Sequence, residues 1–481
     1  MSATSHHSVE KIGGTSMNDF TAVRDNILIA GRAGAQLYQR IFVVSAYGGI
    51  TDLLLEHKRS GEPGVYALFA GADDDGAWQR RLDRVAASMR ERNAALFTDA
   101  AARRDADAFV EERIDGVRNC LLDLQRVCSY GHFQLAEHLM TVRELLASLG
   151  EAHSAYNTAA LLRGLGVAAR FVDLTGWRGG EPLPLDERIG SAFADIDLTR
   201  ELPVVTGYCQ CREGLMRSFD RGYSEMTFAR IAVLTGAGEA VIHKEFHLSS
   251  ADPRVVGATK VVPIGRTNYD VADQLANLGM EAIHPRAAKG LRQSGIPLRV
   301  KNTFEPEHGG TLITSDYISA APCVEIIAGR KHVFAIEVFD QDMVGNRGHD
   351  NAILDILARF KADIITKDSN ANTITHYVDG GLKTVKRVDA ALKEAFATAE
   401  VRTRKVAIVS AIGSDLQVPG MLARAVQALA DVGISVLAVH QAMRQVDMQF
   451  VIDEADYEAA VQSLHRCLIE PHNHRYAICA A

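Results

Sequence analysis

The chain has 481 residues, 47% of them apolar, and carries 52 Lys and Arg against 60 Asp and Glu, a formal net charge of -8. That length implies more than one domain, and an acidic balance without a basic cluster argues against nucleic acid or an anionic membrane as partner. Seven scattered cysteines with no Cys-x-x-Cys pair read as reduced thiols rather than a zinc site. With no signal-like start and no bilayer-length apolar run, the expectation is a soluble cytoplasmic protein.

Residues 8–12 read as a strand that runs into Lys11-Ile12-Gly13-Gly14-Thr15-Ser16. Paired glycines turn backbone N–H groups toward an oxyanion, a following helix start favours negative charge, and Lys11 adds a full positive charge. The ligand suggested is a nucleoside triphosphate. The lysine precedes the glycines and no Gly-Lys-Ser/Thr run occurs, so this is not a Walker A loop. Taken alone, an ordinary capped turn would use the same residues.

A helix is predicted over 18–30, with Phe20, Val23, Ile27 and Ala30 on one face and Gly31 at its end. The run Ile41-Phe42-Val43-Val44 reads as a buried strand closing on a second glycine turn, Ser45-Ala46-Tyr47-Gly48-Gly49-Ile50-Thr51-Asp52. Residues 73–150 turn charged and helical, an excursion from the sheet. Further strands are predicted at 169–172, 203–206 and 300–302, the alternation of a mainly parallel, helix-covered sheet. Ligands of such sheets sit beyond the carboxyl ends of the strands, where both glycine turns fall.

The segment Phe219-Asp220-Arg221-Gly222-Tyr223-Ser224-Glu225 packs a guanidinium, a hydroxyl and an acid at a helix start. Arg221 there can clamp a carboxylate bidentately; equally, Ser224 can be a cap and Arg221 with Glu225 a surface i,i+4 pair. Downstream stand Asp252-Pro253-Arg254, His284-Pro285, Lys301-Asn302-Thr303 and Gly310-Thr311-Leu312-Ile313. After residue 315 the chain offers two divergent copies of one plan: strand, loop, helix, strand, strand, helix.

These elements, in this order, resemble the aspartate kinases of the amino acid kinase superfamily across essentially the whole chain. Lys11 to Ser16 matches that family's Lys-Phe-Gly-Gly-Thr-Ser signature with one conservative change, Ser45 to Leu54 is similar to its second glycine loop, and Gly150-Glu151 to its Gly-Glu element. The resemblance implies an α/β fold: a mainly parallel sheet sandwiched by helices over 1–315, then two α+β ferredoxin-like ACT domains at 316–400 and 401–481. It implies MgATP-dependent phosphorylation of the side-chain carboxylate of L-aspartate, the first step toward lysine, threonine and methionine. The segment before Asp252 also resembles the aspartate kinases associated with ectoine synthesis.

Carried over by position, Lys11 and Glu225 form the catalytic pair, Lys11 stabilising the transferred phosphoryl group and Glu225 holding Lys11. The nucleotide set is Lys11, Gly13, Gly14, Thr15, Thr235, Gly236, Asp252 and Arg254. Aspartate would be held by Ser45, Thr51, Glu151, Arg221 and Ser224, with no metal ligand assigned. The chain departs from the family where Glu225 replaces aspartate, where Thr235-Gly236 stands for Thr-Asp, and where Glu281 occupies a customary lysine position. Lys244 or Lys289 would then supply the missing charge. An amino-acid effector is expected at the loops 343–350 and 417–421, and a homo-oligomer, dimer or tetramer. A catalytically weak amino-acid sensor on the same fold is the rival reading.

Overall fold

The structure, a computed structural model, describes residues 7–58, 60–71, 76–219, 222–280, 282–344 and 348–472. The chain falls into two compact units, Met1–His247 with Ile283–Thr314, and Leu248–Ala282 with Ser315–Ala481.

In the first unit the strands lie in the order Ala169–Val172, Leu202–Thr206, Arg40–Val44, Ser8–Ile12, Glu239–Lys244, Leu298–Asn302, Thr311–Thr314. Every neighbouring pair is parallel except the last, which is antiparallel. The strand Ser8–Ile12 is therefore central, and its register puts Ile12 beside Val44 on one side and His243 on the other. The stretch Glu239–Lys244 supplies a central strand.

The charged region after the second glycine turn forms three long helices, Ala77–Leu96, Ala100–Cys128 and Leu135–Gly164. The last buries a continuous run from Leu146 to Ala155, as expected of a helix enclosed on more than one side. The helix predicted over 18–30 is instead broken into a 3₁₀ turn Ser16–Asn18, an α turn Phe20–Val23 and a π turn Arg24–Leu28. Asp19 caps the α turn by accepting from the Ala22 N–H, and the carbonyls of Ile27 and Leu28 are taken by the Arg40 guanidinium. Apolar periodicity alone does not register that competition.

The second unit is built on an antiparallel six-stranded sheet in the order Asp363–Ser369, Thr373–Asp379, Ile326–Phe339, Glu400–Ile412, Asp447–Asp453, Val436–Gln441. Each half is a βαββα module: the helices His349–Arg359 and Leu382–Ala395 belong to the first, Met421–Ala430 and Tyr457–Leu468 to the second. The two long strands join the modules edge to edge, from Glu400 opposite Phe339 to Ile412 opposite Ile326. Leu248–Ala282, counted with residues 1–315 on the sequence, packs here because Val271, Leu275 and Leu278 bury against Ile326, Val406 and Val451.

Candidate functional site

Three adjacent strands of the first unit end level with one another, at Ile12, Val44 and Thr206. Each is followed by a residue whose N–H bonds back across the sheet: Gly13 to the His243 carbonyl at 3.2 Å, Ser45 to Ile12 at 3.1 Å and Gly207 to Val44 at 3.0 Å. The chain leaves the sheet in three stacked loops at its carboxyl edge. A Cβ on Gly14 would stand 2.7 Å from the Ala46 carbonyl oxygen, so the first loop lies against the second as closely as a bare backbone allows.

Lys11 points into this edge and is 6% exposed. Its Nζ lies 3.8 Å from Glu225 Oε1. Glu225 stands in the first turn of the helix Tyr223–Thr235, and its other oxygen accepts a 2.6 Å bond from the His284 backbone N–H. The carboxylate is thus held from behind while it faces the ammonium.

Glu151, midway along the helix Leu135–Gly164, is 2% exposed. Burial pushes its carboxyl up to about 8, with Lys11, the Tyr223 hydroxyl and the Tyr208 backbone pulling the other way. Its Oε2 has no hydrogen-bond partner among the described residues. A Cβ on Gly207 would fall 2.9 Å from that oxygen and 2.9 Å from the Ser224 Cβ, so Glu151 and Ser224 converge over a glycine whose missing side chain keeps the space clear. A buried carboxyl with one oxygen left unmatched is costly unless something cationic completes it.

The Ser154 hydroxyl, one helical turn after Glu151, donates to the Ser45 carbonyl at 2.8 Å and fixes the second loop to the same helix. Thr51 lies in the short helix Ile50–Leu54 that the loop opens, after Gly49 at φ 85°. Thr15 is exposed at the N-terminal cap of the first turn. Lys11, Gly13, Gly14, Ser45, Glu151, Ser224 and Glu225 are therefore drawn to one edge, with Thr15 and Thr51 on the loops that rim it. Arg221 and Glu281 lie outside the described residues.

Thr235 and Gly236 do not join them. The Thr235 hydroxyl meets the His7 ring at 2.9 Å, and Gly236, at φ 66°, caps the helix end. Both precede the strand Glu239–Lys244 and lie at the amino end of the sheet, where Gly238 N–H donates to the His7 carbonyl. This corrects their assignment to the nucleotide: a loop that feeds a parallel strand is at the opposite end from the one that leaves it. The strand's own exit is what reaches the glycine loops, since Thr303 N–H donates to the Lys244 carbonyl at 2.7 Å and its hydroxyl bonds the Ser16 hydroxyl at 2.9 Å. The apolar run before His243 was the signal that could have marked it. Asp252 and Arg254 belong to the second unit, where Asp252 caps the turn Pro253–Val256 and pairs with Arg254 at 2.7 Å.

The chain is similar to known proteins in sequence and in fold. The amino acid kinase family profile matches residues 8–302, and an ACT domain profile matches 409–468. Aspartate kinase Ask_Ect of Stutzerimonas stutzeri is 61% identical over 99% of this chain and 100% of its own length. Aspartokinase of Geobacillus stearothermophilus is 28% identical over 67% of this chain and 80% of its own. In fold, the chain is similar to Escherichia coli aspartokinase III solved with aspartate and ADP, with a TM-score of 0.71 at 22% identity, covering 97% of this chain and 100% of that one. The lysine- and aspartate-bound form of that enzyme superposes equally well, at 0.71 and 21% identity over 96% and 100%.

Proposed function

This chain belongs to the aspartate kinases of the amino acid kinase family, and we propose how its residues carry phosphoryl transfer from ATP to the side-chain carboxylate of L-aspartate, giving 4-phospho-L-aspartate. The observation that carries the reading is the fixed pair of Lys11 and Glu225 at the glycine-loop edge beside Glu151, whose buried Oε2 has no hydrogen-bond partner among the described residues.

The acceptor is already ionised at neutral pH and needs no general base. A carboxylate oxygen forms the new bond to the γ-phosphorus, the bond from phosphorus to the β–γ bridging oxygen breaks, and ADP departs with that electron pair. What the protein must supply is alignment and compensation of charge on the transferring oxygens. Lys11 provides the positive charge, and Glu225 keeps its ammonium at that edge. Gly13, Gly14 and Thr15 form the phosphate loop. Glu151 receives the substrate ammonium at its unmatched Oε2, and Ser45, Thr51, Ser224 and Arg221 complete the aspartate subsite.

Magnesium would enter with the nucleotide. Among the described residues no group of three His, Cys, Asp or Glu side chains is placed to hold an ion, which suits a cation carried chiefly on phosphate oxygens and water. Asp252 and Arg254 are retained as nucleotide contacts on the strength of the family motif alone. The paired βαββα modules are ACT domains that sense an amino acid through the loops 343–350 and 417–421 and join chains into a homo-oligomer. The 61% identity to Ask_Ect supports service to the ectoine branch as well as the general aspartate pathway.

The test is ATP-dependent acyl phosphate formation, trapped as the hydroxamate, with L-aspartate, L-glutamate and N-acetylglutamate compared. Aspartate-selective product that disappears in Lys11→Ala is expected. Nucleotide and amino-acid binding without product from any of the three would return the chain to the sensor reading.

A further inference from the structure

Parallel sheets sandwiched by helices bury apolar side chains on both faces. Part of one face of this sheet does not. Side chains alternate along a strand, so Glu10 projects opposite to Lys11, and on its side stand Ser8 and Glu10, then Glu239, Val241 and His243, then Arg299 and Lys301, every second residue of three neighbouring strands. Instead of helix packing, a cavity of about 760 Å³ lies over them, within the size range of small-molecule sites. Its rim is the segment that follows the π turn, where Ala35, Gln36 and Gln39 are exposed to solvent.

The floor is a fixed ionic frame. Glu10, Arg40 and His243 are 6%, 5% and 5% exposed. Arg40 makes a forked pair with Glu10 through Nε at 2.7 Å and Nη2 at 3.2 Å, and its remaining donors reach the Leu28 and Ile27 carbonyls at 2.9 and 2.6 Å. The His243 ring meets Glu10 Oε2 at 2.8 Å. Arg299 donates to Glu239 at 2.9 Å. Both carboxylates of the lining are thereby matched by guanidinium groups.

Two cations of the lining make no ion pair among the described residues. Among the described residues, Lys301 reaches the Pro306 carbonyl at 3.4 Å. Arg32 has a buried Nη1 with no partner among the described residues. In a chain of net charge -8, the cavity is lined by Arg32, Arg40, Arg299 and Lys301 against Glu10 and Glu239 alone. A half-buried guanidinium with one buried donor unmatched is suited to an oxyanion.

We propose that this cavity is a second ligand site, on the face of the sheet opposite Lys11, that takes a small metabolite bearing a multiply charged oxyanion held by Arg32 and Lys301. The oxyanion is a phosphate or a cluster of carboxylates, and the site is separate from those for nucleotide and aspartate.

Calorimetry on the full chain, with saturating MgADP and L-aspartate filling the catalytic edge, tests it with two probes, inorganic phosphate and tricarballylate. At least one probe binds at one equivalent per chain, and which one does so tells phosphate from carboxylate chemistry. Arg32→Gln weakens it at least tenfold, and Lys301→Gln weakens it independently, while melting temperature and aspartate kinase activity of Arg32→Gln stay near those of the parent. Absence of any equivalent under these conditions overturns the proposal, as does binding that neither substitution alters.

Discussion

The Asn18 side-chain oxygen accepts a 2.9 Å hydrogen bond from the Gly48 backbone N–H, tying the loop that carries Gly13 and Gly14 to the loop that carries Ser45 and Thr51. Arg92 secures the tie from outside: it donates to the Asn18 carbonyl at 3.2 Å and lies 5.1 Å over the Tyr47 ring. Nucleotide and acceptor loops are thus fixed in one frame, which in-line transfer requires. A Cβ on Gly48 would sit 2.4 Å from Asn18 Nδ2, so Gly48→Ala must push Asn18 aside. Its expected effect is a loss in kcat of about 10²-fold, the scale set by a displacement of roughly 1 Å in a reacting pair, with little change in melting temperature. Asn18→Ala, which removes the bonds from Gly48 and Arg92 to the side-chain oxygen but forces nothing apart, costs about tenfold or less. Steady-state kinetics of both variants check this, and a Gly48→Ala enzyme with parental kcat would sink it.

Glu151 gives the reaction a pH dependence of definite sign. Its folded-state value of about 8 stands above the ordinary 4.5, so the free enzyme holds it protonated below about 8 and taking up the substrate ammonium must expel that proton. KM for L-aspartate therefore rises by up to about tenfold per pH unit on the acid side of this pKa. For the empty protein, a raised carboxyl pKa contributes stability that is fully present below 4.5 and is lost as pH climbs through about 8. Aspartate should accordingly raise the melting temperature more at pH 8.5 than at pH 6. Glu151→Gln removes the pH dependence of KM while raising KM throughout, measured by kinetics across that range.

The glycine loops, the strand ends they follow and the two βαββα modules were legible because each is written in contiguous residues: an apolar run, a turn chemistry, a helix period. Thr235-Gly236 misled because a Thr–Gly pair ending a helix has the same local appearance as one leaving a strand, and only the register of Glu239–Lys244 against Ser8–Ile12 tells which end of the sheet it occupies. The Glu10, Arg40 and His243 frame assembles side chains separated by 30 and 233 positions, beyond the reach of any local pattern. Its trace was nonetheless present, since charged residues at alternate positions of a strand that should be buried on both faces contradict the rule for parallel sheets.

We propose that Lys244, rather than Lys289, supplies the charge expected at position 281. Its backbone carbonyl accepts from the Thr303 N–H, and the Thr303 hydroxyl bonds Ser16, so the chain at Lys244 leaves the sheet beside the first glycine loop. Lys289 is exposed on the helix Pro285–Gln293. Lys244→Ala is expected to raise KM for ATP about tenfold or more, the loss of roughly one charge-assisted contact, and to leave KM for aspartate near parental. Lys289→Ala should leave both constants unchanged. Equal, unaltered ATP kinetics in both variants would remove Lys244 from the phosphate site.

The Glu10–Arg40 pair makes stability depend on both partners being present. The carboxyl of Glu10, although pushed upward by burial, is held far below its ordinary range by Arg40 and the hydrogen bond from His243. A depressed carboxyl pKa contributes stability that is present above the ordinary 4.5 and fades as pH falls below it. Arg40→Met strands a buried carboxylate and leaves the Ile27 and Leu28 carbonyls without their donor, a loss of about 3–5 kcal/mol. Replacing both partners, Glu10→Leu with Arg40→Met, removes the uncompensated charge and should recover about 1–3 kcal/mol of that loss. Urea denaturation at pH 7 and pH 4 separates the cases: the parent weakens between the two pH values, the double variant weakens less, and Arg40→Met gains relative to the parent at the lower pH as its stranded carboxylate takes up a proton. A double variant no more stable than Arg40→Met would show that the lost carbonyl contacts, rather than the orphaned charge, dominate the energetics of this frame.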